Sequence, residues 1–121
     1  MTNRIKFLNV KSKKELAVIY QLSKVLIYVS YFEGFGLPII EGINSKIPII
    51  ASNTDELKEA GGKSIFYVDP DNVHEIRDKI RYINDNPILI QNQINCSTNF
   101  IKKFSKEIIQ NQIYNTYKSL L

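Results

Sequence analysis

A strand followed by a glycine turn and a helix is the pattern that most constrains this chain. The run from Val25 to Ser30 is apolar on both faces, as in a strand covered by helices on both sides. The stretch Glu33-Gly-Phe-Gly-Leu-Pro-Ile-Ile-Glu41 follows, with two glycines for a tight turn and Pro38 suited to the first turn of a helix. Because open α/β sheets bind ligands at such strand ends, the pattern predicts a site between Glu33 and Glu41.

The residue types in this turn suit a ligand that is part phosphate and part sugar. We expect the backbone N–H groups of Gly36 and Leu37 to point outward at the helix N-terminus, where they attract a phosphate. Glu41 should lean toward the same end, and a carboxylate accepts hydrogen bonds from sugar hydroxyls. A nucleotide-sugar offers both groups. On spacing alone, the pattern fits equally well a strand, turn and helix with two solvated glutamates, since carboxylates are common near helix N-termini.

The stretch from Glu33 to Glu41 resembles the glutamate, seven residues, glutamate motif of retaining glycosyltransferases with the GT-B fold, of the group 1 or family 4 type. The resemblance implies an enzyme that moves a hexose from a nucleotide-diphosphate sugar to a glycan or a lipid-linked acceptor. It continues through four further segments, which are Arg4–Leu8, Leu57–Gly62, Phe66–Pro70, and Phe104-Ser105 with the amphipathic stretch behind it.

The resemblance also implies a role for each residue of the turn. Glu33 contacts the donor sugar as the catalytic residue, and Glu41 binds the ribose hydroxyls. The residues that line the sugar and the diphosphate are Gly34, Phe35, Gly36 and Leu37. The loop after the next strand borders the donor pocket in the family, which makes Ser52, Asn53 and Thr54 secondary candidates. Glu59 matches a family glutamate, with a cap or salt-bridge role as the alternative.

We expect no metal and no cofactor, the nucleotide-sugar being the donor substrate. Asp69-Pro70-Asp71 has the Asp-x-Asp form that binds Mn²⁺ or Mg²⁺ in a different glycosyltransferase fold. Proline between aspartates is ordinary turn chemistry, however, and an octahedral metal site needs further convergent oxygens. His74 has no second histidine and Cys96 has no second cysteine, so neither a metal ligand nor a nucleophile is indicated.

Alternating apolar runs and helical patterns predict an α/β fold, a partial Rossmann-like parallel sheet with helices on both faces and a helical C-terminus. We expect about four strands, Ile5–Asn9, Val25–Ser30, Ile47–Ser52 and Ser64–Val68, and about six helices. Ser12 and Glu15 form a capping box that begins the first helix. Tyr20 recurs at helical spacing with Leu16 and Ile19, which predicts that Tyr20 is a core residue.

The resemblance implies that residues 1–121 form a single partial domain, the C-terminal donor-binding segment of a GT-B enzyme. The N-terminal acceptor domain and a basic Arg and Lys pair that neutralises the diphosphate are absent from it. We therefore expect the isolated chain to be inactive. Either the strand at Ile5–Asn9 pairs directly with Val25–Ser30, or a separate N-terminal domain or subunit completes the sheet. The alternatives are a binding or interaction module without catalysis and a non-functional truncated remnant.

Composition limits the partners and the compartment. The formal charge is +4, but the lysine cluster at Lys11–Lys14 has no interleaved aromatic residue and the one at Lys102–Lys106 has Phe104 alone, so we expect no nucleic-acid binding. At most, weak peripheral contact with an anionic membrane follows. Because Cys96 is the only cysteine and neither a signal peptide nor a transmembrane run is visible, a cytoplasmic location is indicated, including the inner face of the membrane.

Overall fold

The computed structural model describes residues 4–120, in which helices and strands alternate. Three short strands form one sheet, and six α-helices and a 3₁₀ helix surround and follow it within this range. In chain order the elements are α1 Lys13–Leu22, β1 Leu26–Tyr28, α2 Leu37–Asn44, β2 Ile49–Ser52, α3 Asp55–Gly61, β3 Phe66–Val68, α4 Val73–Asp85, α5 Pro87–Phe100, the 3₁₀ helix Ile101–Phe104, and α6 Lys106–Ser119.

The sheet is parallel, with strand order β1-β2-β3. Leu26 pairs with Ile49, and Ile50 pairs with Phe66. Each connection between strands contains a helix, as parallel strands require. The predicted fold class, a partial Rossmann-like α/β sheet with a helical C-terminus, is confirmed.

Helices cover both faces of the sheet. On one face, Ile49 and Ala51 belong to a buried cluster with Ile39 and Ile43 of α2 and Leu57 of α3. Because side chains alternate along a strand, Ile50 and its partner Phe66 face the other way. There the Phe66 ring meets Tyr82 of α4 with 5.8 Å between ring centroids. The fully buried β2 is therefore the centre of the core.

The prediction of a strand at Ile5–Asn9 is wrong. This segment forms no regular strand, and its apolar side chains are exposed, Phe7 almost completely. β1 pairs only with β2 among the described strands, so the proposed pairing of the first segment with β1 is also wrong. A strand needs a ladder partner to satisfy its backbone groups, and this segment finds none within residues 4–120.

The first helix begins at the predicted cap, with one difference. Ser12 Oγ accepts from the Glu15 N–H at 3.2 Å, as expected of a capping box. The Glu15 carboxylate, however, accepts from the Lys11 N–H at 2.8 Å and not from the cap residue itself. The predicted inward face of α1 is only half-buried, and no residue of the helix is fully buried. α1 is thus fixed at its start but packed lightly.

The C-terminal third is helical, as predicted. Ser105 caps α6, with its Oγ accepting from the Ile108 N–H at 3.4 Å. The 3₁₀ helix before it anchors this region, since Ile101 is buried and Phe104 packs on the core. No residue of α6 is buried. Within residues 4–120, no helix combines the length and the apolar character needed to cross a membrane.

Candidate functional site

The turn between β1 and α2 is held in place by Gly36. This residue caps α2 in the left-handed conformation, with φ of +77°. A Cβ built here would lie 2.6 Å from Leu57 Cδ2, and Leu57 is fully buried in α3. Glycine is therefore required both for the backbone angle and for the close approach of α2 to α3.

The first turn of α2 presents backbone donors at the carboxyl edge of the sheet. The Ile39 N–H is used within the turn, since it donates to the Gly36 carbonyl at 2.9 Å. Pro38 has no N–H. Leu37 therefore holds the first amide of the helix, and its side chain is exposed. Such a helix end favours a negatively charged ligand.

Glu33 lies half-buried at the entry of this turn and contacts Tyr28 of β1. Burial, followed by a hydrogen bond to Glu33, raises the pKa of the Tyr28 hydroxyl to about 12. The raised pKa keeps the Tyr28 hydroxyl protonated well above neutral pH. Sequence reasoning did not single out Tyr28, which reads there simply as part of an apolar strand.

Glu41 is exposed on α2 and contacts Tyr20 of α1. The Tyr20 hydroxyl donates to Glu41 Oε2 at 3.2 Å. Burial and the Glu41 charge raise the pKa of Tyr20. The prediction that Tyr20 is a core residue is wrong, because Tyr20 is only half-buried and its hydroxyl bonds a candidate site residue. Helical spacing identified the inward face of α1 but carried no signal for this polar contact.

Neither glutamate forms an ion pair in the part of the chain that the structure describes. Within residues 4–120, the ion pairs are Lys58–Asp55 and Arg77–Asp78, and neither involves Glu33 or Glu41. Glu41 is thus held by a neutral donor, the Tyr20 hydroxyl, and no ion pair within residues 4–120 occupies either carboxylate.

The residues between the glutamates differ in what they contact. Gly34 has open space around it, since a Cβ built there would meet nothing within 4 Å. Phe35 packs against the core and meets Phe104 edge-on at 5.2 Å between ring centroids. The aromatic ring therefore anchors the turn from below. Gly34 leaves room for a ligand above it.

The secondary candidates lie at the neighbouring end of β2. Ser52 is fully buried, and its Oγ accepts from the Ser30 N–H at 2.7 Å, which ties the end of β1 to β2. Asn53 is exposed. Thr54 precedes α3 at the cap position, but its side chain makes no cap bond. Two buried oxygens here, Thr54 Oγ1 and Ser30 Oγ, have no hydrogen-bond partner among the described residues. Buried polar atoms normally have a hydrogen-bond partner, so these two oxygens are exceptions at this edge of the sheet.

The aspartates after β3 take part in turn contacts. The Asp71 N–H donates to Asp69 Oδ1 at 2.9 Å, and the Tyr31 hydroxyl donates to Asp71. The Asp71 contact raises the pKa of Tyr31. The Tyr31–Asp71 bond links the loop after β1 to the loop after β3. Within residues 4–120, no group of three or more His, Cys, Asp or Glu side chains could hold a metal ion.

A large groove among the described residues does not coincide with the two glutamates. It measures about 1040 Å³ and lies between α3 and α5, where Glu59, Phe100 and Lys103 line it. A smaller cavity of about 240 Å³ lies between α1 and α2 and includes Tyr20 and Glu41. We place the site at the glutamates because the volume of a groove does not identify a ligand. The β1–α2 turn combines carboxylates, a glycine with open space around it and backbone amides at the start of a helix. Glu59 lies in the other groove and not with Glu33.

Comparison with known proteins adds an independent finding. A family model described as "Glycosyl transferases group 1" matches residues 1–103. The O-antigen chain mannosyltransferase B of Escherichia coli is 33% identical over 72 residues, which are 60% of this chain and 19% of that protein. The O-antigen chain mannosyltransferase RfbU of Salmonella typhimurium is 32% identical over 87 residues, which are 72% of this chain and 25% of that protein. The chain thus spans a quarter or less of the length of these curated relatives.

Proposed function

The chain belongs to the group 1 glycosyl transferases, and from this premise we propose that it forms the donor-binding part of a retaining enzyme that uses a nucleotide-diphosphate sugar. The observation that carries the proposal is the pair of glutamates at the β1–α2 turn. Glu41 accepts from the Tyr20 hydroxyl, Glu33 lies half-buried and contributes to the raised pKa of Tyr28, and neither glutamate is neutralised by an ion pair within residues 4–120. Two free carboxylates beside helix amides match the alcohols and the phosphates of such a donor.

Each part of the turn takes one part of the donor. Glu33 contacts the transferred sugar as the catalytic residue, and Glu41 binds the ribose hydroxyls. The Leu37 amide and the space above Gly34 accept the sugar and the diphosphate. Ser52, Asn53 and Thr54 border the pocket. Neither a metal nor a cofactor is part of this proposal.

The relatives suggest the sugar and the acceptor. Both are named as mannosyltransferases of O-antigen chains. We therefore propose that the transferred hexose is mannose and that the acceptor is a growing, lipid-linked polysaccharide. We propose that the reaction takes place in the cytoplasm at the inner face of the membrane, with at most peripheral contact.

Transfer needs more protein than this chain. No Arg or Lys is adjacent to the glutamate turn in sequence to neutralise a leaving diphosphate, and such charge needs a cation or a metal. We propose that a separate N-terminal domain or subunit supplies the cations and the acceptor site. The chain alone then binds the donor without transferring it, which also describes the second candidate function, a nucleotide-sugar binding module.

A titration with nucleotide-sugars tests the proposal. UDP-, GDP- and ADP-activated hexoses, mannose among them, are titrated against the chain by calorimetry or ligand-observed NMR. We expect one nucleotide to bind and Glu41→Ala to weaken its binding about tenfold or more, since a hydrogen bond to a charged group is lost. Glu56→Ala, an exposed acidic residue on α3, is the matched control. The absence of binding by any of the donors, or equal effects of the two variants, would contradict the donor-binding role.

A further inference from the structure

Tyr20 connects two elements that are distant in sequence and bonds a carboxylate that is otherwise exposed. Its hydroxyl reaches Glu41 Oε2 across 21 residues of chain, from α1 to α2. A free glutamate side chain on a helix surface samples many rotamers, and ordering it costs conformational entropy. A hydrogen bond present before the ligand arrives removes part of that cost from binding.

The geometry leaves the other carboxylate oxygen uncommitted. Tyr20 contacts Oε2, and no described residue donates a hydrogen bond to Oε1. No lysine or arginine forms an ion pair with Glu41 in the described range. Tyr20 is neutral at physiological pH, so it holds the carboxylate without cancelling its charge. A lysine in the same place would hold Glu41 equally well but would compete with its function as an acceptor.

We propose that Tyr20 is a positioning residue, which fixes Glu41 so that its free oxygen faces the ribose hydroxyls of the donor. The inference rests on the proposed function, because Glu41 must bind ribose for its orientation to matter. The inference gives helix α1 a role in recognising the ribose. The cavity of about 240 Å³ beside Tyr20 and Glu41 gives the carboxylate room to turn away when the bond is lost.

The test measures discrimination between ribose and deoxyribose. The best-binding diphosphate among UDP, GDP and ADP is compared with its 2′-deoxy form on the wild-type chain, on Tyr20→Phe and on Glu41→Ala. We expect the wild type to prefer the ribonucleotide about tenfold and Glu41→Ala to lose the preference. Tyr20→Phe should reduce it to about threefold or less, because only the hydroxyl that orients Glu41 is removed. Tyr114→Phe, which makes the same change on exposed α6, is the control.

A purely structural role of Tyr20 predicts a different result. Weaker packing of α1 on α2 would lower both affinities equally and leave their ratio unchanged. This inference is overturned if Tyr20→Phe keeps the wild-type ratio of the two affinities while Glu41→Ala loses the preference for the ribonucleotide. That result leaves the proposed function standing. A ratio unaffected by Glu41→Ala overturns the ribose-binding role of Glu41, and this inference with it.

A second readout needs no variant. The carbon of the Tyr20 ring that bears the hydroxyl is followed by NMR in the wild-type chain. We expect its resonance to shift on addition of the ribonucleotide and to shift much less with the 2′-deoxy form. Equal shifts with the two nucleotides count against the proposal, and they do so even if Tyr20→Phe does not fold.

Discussion

At the scale of single residues, the candidate site depends on one glycine more than on either glutamate. Gly36 has a positive φ and lies where a Cβ would overlap the buried Leu57 side chain. Gly34, two residues earlier, meets neither constraint. The two glycines of the motif therefore serve different purposes, Gly36 for the fold and Gly34 for the space above the turn.

This difference gives a paired prediction. Gly36→Ala should lower the free energy of unfolding by about 1–3 kcal/mol, because alanine is strained at a positive φ and displaces Leu57. Gly34→Ala should change it by less than about 0.5 kcal/mol, since its surroundings are open. Urea denaturation followed by circular dichroism measures both values. Equal stability losses would show that the turn is not held as described.

Tyr67 gives a residue-scale prediction about pH. Its hydroxyl donates to the Gly62 carbonyl at 2.7 Å, and burial raises its pKa from the ordinary value of 10.0 to about 12. Between these two values the folded chain binds more protons than the unfolded chain, so stability falls as pH rises. We expect the urea midpoint to decline from pH 9 to pH 12, and to decline less in Tyr67→Phe. Equal declines of the urea midpoint in the wild type and in Tyr67→Phe would contradict this assignment. Tyr28, whose pKa is also raised to about 12, contributes to the decline in both proteins.

At the scale of elements, the helices and the three observed strands are predictable from local signals. Caps such as Ser12 and Ser105, and the glycine after α3, mark helix ends because they satisfy backbone groups locally. The missing strand at Ile5–Asn9 could not be predicted in this way. Its apolar pattern is that of a strand, but a strand exists only where a neighbour offers a ladder, which local sequence does not specify.

In the candidate site, too, features set by local sequence were predictable and features set by packing were not. The β1–α2 turn was predictable because glycine, proline and acidic residues carry their chemistry locally. The tyrosine contacts were not, since Tyr20 reaches Glu41 through the packing of α1 on α2. The packing of Phe35 on Phe104 likewise joins residues that are far apart in the sequence.

The C-terminal helix gives a prediction at this scale. α6 buries no side chain, and isolated helices of its length are marginal in water. A chain that ends at Ser105 should therefore have a free energy of unfolding within about 1 kcal/mol of that of the full chain. A chain that ends at Phe100 loses Ile101 and Phe104 from the core and should lose about 3 kcal/mol or more, or not fold. Thermal melting of the two chains checks this, and a large loss on removing α6 alone would contradict it.

At the scale of the whole molecule, the described chain leaves one edge of the sheet and several apolar side chains uncovered. The outer edge of β1 has no strand beside it in residues 4–120, and Phe7 and Phe32 are almost fully exposed. Parallel sheets are normally buried on both faces and paired along their edges. These exposed surfaces, together with the share of its relatives that the chain spans, are consistent with our proposal that further protein completes the site.

Mapping the donor onto the chain tests the central claim most directly. The best-binding nucleotide-sugar is titrated into isotope-labelled protein, and backbone amide shifts are followed by two-dimensional NMR. We predict that the largest shifts fall on Glu33–Glu41 and Ser52–Thr54, at the carboxyl edge of the sheet. Shifts concentrated around Gly62, Phe100 and Lys103, in the groove between α3 and α5, would contradict the claim that the two glutamates hold the donor.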